Sequence, residues 1–382
     1  MLPSQRASFD IPASICFLDA ATFSPQPLAC RDLGREAVAR KSRPWEIAPT
    51  FPSEQYHRAR QTAASLINAD PQDMALISSV GYGVAAAAKM LPVPSGSRVL
   101  VLQDDHSSPV LEWMTRAQSG EFTVEAVRKP GNGDWTDALL DAIGRANAEP
   151  IAIASISSVH WSDGGLVDLA PVAAAIRAQG GALLIDATQS AGVIDLDVRT
   201  LDPDFVVFSA YKWLLGPYGR AFLYVARRHQ EGVPLEQTSY GRRAVRADQD
   251  VYFADLNYVG NAQRFDMGQR DLVSLEIASL GMEMVSNWGT QAIRERLAML
   301  TGRLADGLSG SGVGIPDIGV RAPHILSLEF SGGIPAGLLK GLAAENIFVA
   351  RRLGRLRVSP FVYNDEDDID RLLEAFRELL PA

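Results

Sequence analysis

Lysine is rare in this sequence, so chemistry that needs a primary amine must use one of a few side chains. The lysines lie at positions 41, 89, 129, 212 and 340. Lys212 differs from the others because it closely follows an apolar segment ending in Ser209 and is itself followed by Trp213. A lysine beside apolar groups at the end of a buried strand is partly desolvated, which favours the neutral amine required for a Schiff base. Lys212 is therefore the candidate nucleophile, with an ordinary surface lysine as the alternative interpretation.

A carboxylate and an amide stand at the end of another apolar segment. Asp186 follows the four apolar residues ALLI, and Gln189 lies three positions later. In open α/β sheets ligands bind at the carboxyl ends of the strands, so both side chains are placed to face one crevice. A charged residue at this position can also be a simple helix N-cap, so this motif alone leaves both interpretations open.

A glycine-rich turn, SSVGYGVAAAA at residues 78–88, lies between an apolar segment and a helical pattern. Such a turn directs backbone amides and hydroxyls at an anion and can hold a phosphate at the helix N-terminus. Gly81, Gly83 and Ala86 also satisfy the GxGxxG/A pattern of dinucleotide-binding proteins, and Asp104 follows at a suitable distance. Glycines that merely permit a tight turn are a third interpretation.

Taken together, these three features meet the requirements of one cofactor, pyridoxal 5′-phosphate (PLP). The turn would take the phosphate, Asp186 would keep the pyridine nitrogen protonated, and Lys212 would form the Schiff base. A dinucleotide site would employ the glycines but would leave Asp186 and Lys212 without a role. Ser209 and Lys212 also form the SxxK motif of serine β-lactamases, but the sequence lacks the accompanying KTG and SDN motifs. PLP is therefore the predicted cofactor.

The order of predicted elements indicates the fold that positions these groups. Between about residues 60 and 230, short apolar segments alternate with helical patterns, which is typical of βαβ units and a parallel sheet. Several segments are almost entirely apolar, as expected of a sheet covered by helices on both faces. The predicted strands are 74–78, 98–103, 122–127, 151–155, 182–185, 205–208 and 220–225, and helices between them are 82–91, 109–118, 136–146 and 169–179.

The C-terminal third predicts a second, smaller α+β domain. Residues 230–260 have few periodic apolar positions and are predicted to form a long loop away from the sheet. The acidic run NDEDDID is interpreted as the first turn of the last helix, where carboxylates offset the helix dipole, rather than as a metal site. We predict a large domain over 16–258 and a small domain combining 1–15 with 259–382. Its helices are predicted at 272–287 and 291–307 and its strands near 324–330, 347–350 and 356–359.

Composition narrows the class of protein. The 382 residues are 47% hydrophobic and 21% charged, which is typical of a globular protein. The net charge of −9 and the scattered basic residues argue against a nucleic-acid or anionic-membrane partner and favour a small-molecule substrate. The absence of a signal-like or membrane-spanning apolar stretch predicts a cytoplasmic protein. Two cysteines without metal-ligand spacing predict no metal site.

Five segments of the sequence resemble the fold-type I PLP enzymes of the aminotransferase class V family. They are FLDAAT at 17–22, SSVGYG at 78–83, LLIDATQSAG at 183–192, FSAYKWLLGPYG at 208–219 and RFDMG at 264–268. That family includes cysteine desulfurases, isopenicillin N epimerase and kynureninase-like enzymes. The resemblance extends from about residue 17 to the C-terminus. It implies an α/β fold in which a large domain with a mostly parallel sheet flanked by helices is joined to a smaller α+β domain.

The resemblance also implies roles for individual residues in PLP binding. Lys212 would carry the Schiff base, Asp186 would pair with the pyridine nitrogen N1, and Gln189 would bond the phenolic oxygen O3′. The phosphate would be held by Ser79, Ser209, the amide of Gly81 and the hydroxyl of Tyr211. His106 would lie near the group that stacks on the pyridine ring, although its alignment is ambiguous by one residue and a solvated loop histidine is the alternative.

Two further roles concern the substrate and a second subunit. Arg357 matches the arginine that binds the substrate α-carboxylate, and Arg355 would lie on the same strand face, so one of the two can be a surface residue only. Gln269 matches the position where a partner subunit completes the phosphate site. The resemblance therefore implies a homodimer with shared active sites.

The family catalyses several reactions at Cα of amino acids, and the sequence does not distinguish all of them. Transamination is our first interpretation, with β-elimination (C–S lyase activity) and racemisation or epimerisation as alternatives. A PLP-fold protein that has lost catalysis is an alternative of another class. The cysteine desulfurases carry a catalytic cysteine shortly before the substrate-binding arginine, whereas residues 347–357 contain none. Desulfuration through a protein persulfide is therefore not expected.

Overall fold

The computed structural model of the protein describes residues 2–243, 245, 250–252 and 255–380. In these residues the strands are, in chain order, β1 (Cys16–Phe17), β2 (Met74–Ile77), β3 (Arg98–Leu102), β4 (Thr123–Val127), β5 (Ile151–Ser157), β6 (Ala182–Asp186), β7 (Phe205–Ser209), β8 (Ala221–Val225), β9 (Leu326–Leu328), β10 (Ile347–Phe348), β11 (Ala350–Arg352) and β12 (Arg355–Val358). The helices are α1 (Leu28–Lys41), α2 (Phe51–Ser65), α3 (Val80–Met90), α4 (Ser107–Ala117), α5 (Trp135–Gly144), α6 (Leu169–Ala178), α7 (Val198–Leu201), α8 (Leu272–Trp288), α9 (Thr290–Gly307), α10 (Leu338–Ala344) and α11 (Glu366–Leu379).

A seven-stranded sheet forms the centre of the fold. Its strand order is β2-β8-β7-β6-β5-β3-β4, and β8 runs antiparallel to both of its neighbours while the other pairs are parallel. Every residue of β3, β7 and β8 is buried, which explains why these segments are continuous apolar runs in the sequence. The predicted α/β fold with a mostly parallel sheet is confirmed.

Helix ends in this fold are set largely by short acidic side chains. In α5, α6, α8 and α11 an aspartate precedes the first turn and accepts hydrogen bonds from its free amides, which are otherwise unsatisfied. These caps are Asp134, Asp168, Asp271 and Asp365. In α11 Asp368 completes a capping box with Asp365, so the interpretation of NDEDDID as a first helical turn is confirmed.

Helices α1 and α2 have no counterpart in the sequence prediction. Both pack against α8, and their buried positions are mostly small residues rather than a stripe of large apolar ones. Gly34 lies so close to α8 that a Cβ there would be 2.9 Å from Cδ1 of Ile277. Close helix packing through glycine and alanine leaves only a weak periodic signal, which explains why these helices were missed.

The C-terminal part forms a small antiparallel sheet of order β11-β12-β9, as predicted. Its buried leucines belong to the same hydrophobic cluster as residues of α9 and α11. The N-terminal strand β1 pairs in parallel with β10, with Cys16 opposite Ile347. The two ends of the chain are thus joined through a two-stranded sheet. The domain limits at 15/16 and 258/259 stay a prediction.

The predicted long loop at 230–260 falls partly outside the described residues, at positions 244, 246–249, 253 and 254. Its described parts contain one short 3₁₀ turn, Ser239–Gly241. No described helix is both long enough and apolar enough to cross a membrane. The described residues also contain no group of three or more His, Cys, Asp or Glu side chains placed to hold a metal ion.

Candidate active site

A cavity of about 370 Å³ opens at the carboxyl ends of β5, β6 and β7. Ligands bind at this edge in open α/β sheets because the loops that follow the strands converge there. The structure brings eight of the ten predicted site residues into the wall of this one cavity. They are Ser79, Gly81, His106, Asp186, Gln189, Ser209, Tyr211 and Lys212.

Lys212 is held in the cavity by the loop that joins β7 to β8. Only 6% of the residue is exposed, and its Nζ lies 5.6 Å from the ring centroid of Tyr211. Burial lowers the pKa of Lys212 to about 8, with a further lowering by the charge of Arg357 that the charge of Asp186 opposes. At neutral pH this amine is much closer to its nucleophilic form than an exposed lysine is.

The loop can place Lys212 there because glycine closes it. A Cβ at Gly216 would lie 2.7 Å from Cβ of Ala210, so a larger residue would push the two ends of the loop apart. The amide of Gly216 donates to the carbonyl oxygen of Ala210 at 2.8 Å. The short GPYG segment therefore keeps Lys212 close to the end of β7.

Asp186 occupies the last position of β6, opposite Ser157 of β5. Its Oδ1 accepts a hydrogen bond from the amide of Thr188 at 2.9 Å, so the cap-like contact considered from the sequence does exist. The residue nevertheless lines the cavity. The two interpretations of Asp186 are compatible, because a carboxylate oriented through one oxygen can act through the other.

The Gln189 amide is oriented by two buried partners. Its Oε1 accepts from Nε1 of Trp213 at 2.8 Å, and its Nε2 donates to the carbonyl oxygen of Ala21 at 3.1 Å. One N–H of the amide is left for a ligand. Nε2 of the fully buried His324 also bonds the Gln189 carbonyl oxygen at 2.6 Å. Trp213 and His324 were missed from the sequence, because nothing in their spacing links them to Gln189.

The wall beside the glycine-rich turn carries hydroxyl and amide donors. Ser79 caps α3, and its Oγ accepts from the amide of Tyr82 at 3.1 Å. A Cβ at Gly81 would meet no atom closer than Ser79 Oγ at 4.0 Å, so there is open space over this backbone. The hydroxyl of Ser209 is buried without a hydrogen-bond partner among the described residues. A helix N-terminus, open backbone and an unsatisfied hydroxyl fit a phosphate group.

The sheet order does not support the dinucleotide interpretation of the same turn. In a dinucleotide-binding fold the glycine-rich turn follows a central strand, at the point where the strand order reverses. Here the turn follows β2, which lies at the sheet edge and pairs with the antiparallel strand β8. Asp104 does not line the cavity, and its carbonyl oxygen accepts a hydrogen bond from Nε1 of Trp161.

His106 lies in the cavity wall rather than in a solvated loop. Its ring stands edge-on to Trp161 with the centroids 5.8 Å apart, and its Nδ1 accepts from the amide of Ser108 at the start of α4. The pKa of His106 is lowered, chiefly by burial. The imidazole is therefore neutral at pH 7, and its stacking on a cofactor ring stays a prediction.

Arg357 is nearly completely buried on β12, at 1% exposure. Its Nη1 donates to the carbonyl oxygen of Trp161 at 2.6 Å, and its Nη2 donates to Thr22 Oγ1 at 2.6 Å and Asp19 Oδ1 at 3.1 Å. Burial lowers its pKa to about 10. Arg355 is instead half-exposed and forms an ion pair with Glu329. Arg357 is not among the residues that line the cavity, although its partner Trp161 is. After burial, the charge of Arg357 is a further cause of the lowered pKa of Lys212.

The family of this protein is established by comparison with known sequences. The model of the aminotransferase class-V family matches residues 50–372. The chain belongs to this family. As a class-V protein it is a PLP-dependent enzyme, and the donors that line the cavity fit that cofactor.

Relatives of this class-V enzyme have different activities. It is 24% identical to the uncharacterized aminotransferase YcbU of Bacillus subtilis, over 83% of this chain and 81% of that protein. It is 27% identical to the cysteine desulfurase IscS of Pseudomonas fluorescens, over 73% and 64% of the two chains. Isopenicillin N epimerase of Amycolatopsis lactamdurans is 25% identical, over 84% of each. These relatives do not distinguish one reaction type.

Solved structures show the same fold at low sequence identity. The cysteine desulfurase of Thermococcus onnurineus superimposes with a TM-score of 0.84 and 19% identity, over 98% of this chain and 97% of that one. The cystine C-S lyase C-DES gives a TM-score of 0.84 and 17% identity, over 97% and 99%. At such identities the likeness supports the fold alone.

Gln269 is the predicted cofactor-binding residue that the class-V chain does not bring to its own cavity. It lines a different depression, with Tyr56 and Tyr240. The predicted role of Gln269 in the site of a partner subunit stays a prediction.

The two cysteines of the class-V enzyme lie outside the cavity wall. Both are buried, and burial raises the pKa of Cys30 to about 12 and that of Cys16 well above its usual value. A thiol that stays protonated in the interior is a poor nucleophile.

Proposed function

We propose that the protein is an aminotransferase that acts at Cα of an amino-acid substrate through Lys212. The observation that carries this proposal is the position of Lys212, which is buried in one cavity with Asp186 and has a pKa near 8. When bound, PLP withdraws the electron pair left at Cα after a bond to that carbon breaks. The protein must supply a base, a carboxylate for the cofactor nitrogen and a cation for the substrate.

The cofactor would be held by the residues that line the cavity. Ser79, Ser209, Tyr211 and the amide of Gly81 would bind the phosphate. Asp186 would face the ring nitrogen, and the free N–H of Gln189 would donate to the phenolic oxygen. His106 would cover the ring. The support for this assignment is the unsatisfied hydroxyl of Ser209 and the fixed orientation of the Gln189 amide.

The substrate would be oriented by Arg357 and deprotonated by Lys212. Arg357 would bind the α-carboxylate, since its buried Nε has no hydrogen-bond partner among the described residues. Lys212 would remove the proton from Cα and deliver it to C4′ of the cofactor, which a single amine can do. Racemisation would also require a proton donor on the other face of the substrate. His106 is poorly suited to that role, because burial lowers its pKa.

β-Elimination is the second candidate function, because release of a β-substituent needs the same base and no thiol. The buried, protonated cysteines disfavour only the persulfide route. Desulfuration by a catalytic cysteine is therefore not part of this proposal.

A single-turnover experiment separates these reactions. The holoenzyme is mixed with a panel of amino acids without any 2-oxo acid acceptor. We expect at most one equivalent of 2-oxo acid per site, no free ammonium, and renewed turnover when a second 2-oxo acid is added. Continuous release of ammonium with pyruvate would establish β-elimination instead. Optical inversion without any 2-oxo acid would establish racemisation.

The residue assignment has an independent test. Borohydride treatment of the holoenzyme should leave the cofactor on the peptide that carries Lys212, as detected by mass spectrometry. Recovery of the label on Lys89 or Lys340 would show that the amine has been assigned wrongly.

We also propose a homodimer in which Gln269 completes the site of the partner subunit. Its location outside the cavity of its own chain supports this arrangement. Mixing inactive Lys212→Ala with a weakened Gln269→Ala variant should restore activity, because one site of each mixed dimer would regain both residues. Elution of the protein as a monomer would contradict the proposal. The cytoplasmic location and the absence of nucleic-acid and membrane partners stay predictions of the sequence.

A further inference from the structure

Two arginine side chains meet at one hydroxyl group beside the cavity. Thr22 Oγ1 accepts from Nη2 of Arg357 at 2.6 Å and from Nη2 of Arg352 at 2.7 Å. The same hydroxyl donates to Asp19 Oδ1 at 2.7 Å. A hydroxyl offers one proton and two lone pairs, so Thr22 is saturated by these three contacts. Both guanidinium groups are therefore held in place at Thr22.

The two arginines differ in their counter-ions. Arg357 has Asp19 as an ion-pair partner. Arg352 donates to Thr22 and to the carbonyl oxygen of Arg351, and it forms no ion pair with any described carboxylate. Arg355, in the same hairpin, is neutralised by Glu329. Arg352 is thus a cation beside a second cation, Arg357, and no described carboxylate balances the charge of Arg352.

The charge of Arg352 is felt inside the cavity. Burial is the main cause of the lowered pKa of Lys212 and of Arg357, and the charge of Arg352 is a further cause that lowers both. Like charges brought together in a partly buried site destabilise one another unless an anion binds between or beside them. The positive charges of Arg352, Arg357 and Lys212 therefore exceed the negative charges of the two carboxylates that oppose them, Asp19 and Asp186.

The hairpin that carries Arg352 has a constrained turn. Leu353 and Gly354 join β11 to β12 and have φ of 44° and 82°, which is the backbone of a two-residue primed turn. Left-handed backbone is ordinary for glycine and uncommon for leucine, so Gly354 suits this turn, whereas Leu353 is held in it by the strand pairing. In the ladder Arg352 is opposite Arg355, whereas Arg357 is opposite Ala350. Arg352 therefore reaches Thr22 from β11, and Arg357 reaches it from β12.

We propose that Arg352 binds a second anionic group of the substrate and that the enzyme therefore acts on amino acids with an acidic side chain. This inference rests on the proposed function, in which Arg357 binds the α-carboxylate. A dicarboxylic amino acid such as aspartate or glutamate would place one carboxylate on each guanidinium. Charge-assisted bonds of this kind favour a planar guanidinium over other donors.

Steady-state kinetics with three variants test the inference. Arg352→Gln should raise KM for acidic amino acids by about ten- to a hundredfold, the range for loss of a hydrogen bond to a charged group, and should change KM for neutral amino acids by less than about twofold. Arg352→Lys should retain part of the preference. Arg355→Gln is the matched control, since it removes a neighbouring arginine that is already paired, and should leave the preference unchanged.

Equal losses for acidic and neutral substrates would overturn the inference, because Arg352 would then belong to the α-carboxylate site. A wild-type enzyme without preference for acidic substrates would overturn it as well.

A binding measurement separates this inference from the proposed function. Calorimetry on the holoenzyme should show that succinate or glutarate binds more tightly than propionate or butyrate, and that Arg352→Gln abolishes the difference. If this difference is found but no 2-oxo acid is ever formed from acidic amino acids, the aminotransferase proposal fails and the anion site stands. If both carboxylate classes bind equally, the anion site fails whatever the reaction is.

Discussion

The chain builds the wall of the cavity and the arginine cluster beside it in different ways, and we call these two regions the cofactor wall and the substrate wall. The cofactor wall includes Asp186, Gln189, Ser209 and Lys212, which come from one short stretch of sequence. Two of them end the adjacent parallel strands β6 and β7, and the other two follow within three residues. Neighbouring parallel strand ends meet at the same sheet edge, so the order of the βαβ units brings these four residues together.

The substrate wall is the cluster of Asp19, Thr22, Arg352 and Arg357, which come from opposite ends of the chain. It lies beside the cavity through the bond of Arg357 to Trp161, and none of the four is among the residues that line the cavity. Arg357 and Thr22 are 335 positions apart in the sequence. Pairing of β1 with β10 and the bridge between Asp19 and Ser359 bring the two ends together. This wall depends on contacts of the N-terminal segment with the small sheet rather than on the order of βαβ units.

The two walls also differ in their charges. The cofactor wall has one amine and one carboxylate, whereas the substrate wall has two guanidinium groups and one carboxylate. We infer that the two walls have separate kinetic roles. Changes in the cofactor wall should reduce kcat, whereas changes in the substrate wall should raise KM. The following predictions test this separation.

The largest effect is expected in the cofactor wall. Asp186→Asn should retain bound cofactor but lower kcat by about 10²-fold or more, because a neutral amide does not keep the ring nitrogen protonated. The measurements are kcat and the cofactor released by alkali. Activity within a few-fold of wild type would show that Asp186 has only a structural role, as the acceptor of the hydrogen bond from the Thr188 amide.

In the substrate wall, Arg357→Ala should raise KM by about ten- to a hundredfold, through loss of a charge-assisted bond to the carboxylate. Cofactor content and the visible spectrum of the holoenzyme should stay unchanged. The control is Arg355→Ala, whose partner Glu329 lies outside the cavity. If Arg355→Ala raises KM and Arg357→Ala does not, the assignment of these arginines to the strand faces is wrong.

The pKa of Lys212 predicts how cofactor binding depends on pH. Only the neutral amine attacks the cofactor aldehyde, and burial lowers the pKa of Lys212 to about 8. Below that pH the neutral fraction rises about tenfold per pH unit, and above it the fraction levels off. The rate at which the apoprotein regains its visible absorbance with added PLP should therefore rise from pH 6 to 8 and then reach a plateau. A rise that continues to pH 10 would show an ordinary exposed lysine.

The smallest effect is expected for the cysteines, which belong to neither wall. A Cys16→Ser, Cys30→Ser double variant should keep its specific activity within about twofold of wild type after correction for folded protein, since both thiols are buried and protonated. Circular dichroism provides the correction, because a buried serine can lower stability. Alanine formed from cysteine, with a persulfide detected on either thiol, would restore the desulfurase interpretation.

Much of the large domain could be predicted from the sequence. Strands β2 to β8 agree with the predicted segments to within about two residues at each end. Except for the largely unburied β4, they are buried strands, which are continuous apolar runs between polar turns. Helices α1 and α2 could not be predicted in this way. Apart from Arg60, their buried residues are alanine, glycine and cysteine, and such residues become a helix interface only when α8 packs against them.

For the site, the sequence by itself determined which groups follow the strand ends. Lys212 and Asp186 could be singled out because polar residues at or shortly after the end of a buried strand lie at the ligand-binding edge. The distance of three positions from Asp186 placed Gln189 at the same crevice, and the resemblance to class-V enzymes then added Arg357. Each of these inferences depends on the immediate neighbours of a residue, which the sequence shows directly.

Only the tertiary structure decided which side chains orient these groups and which charges remain unbalanced. Trp213 and His324 fix Gln189, and Thr22 holds Arg352 beside Arg357 while Glu329 neutralises Arg355. The three arginines are alike in the sequence, since each is a basic residue of one short hairpin. They differ because hydrogen bonds and ion pairs act over a few ångströms in space, and their partners lie far away along the chain.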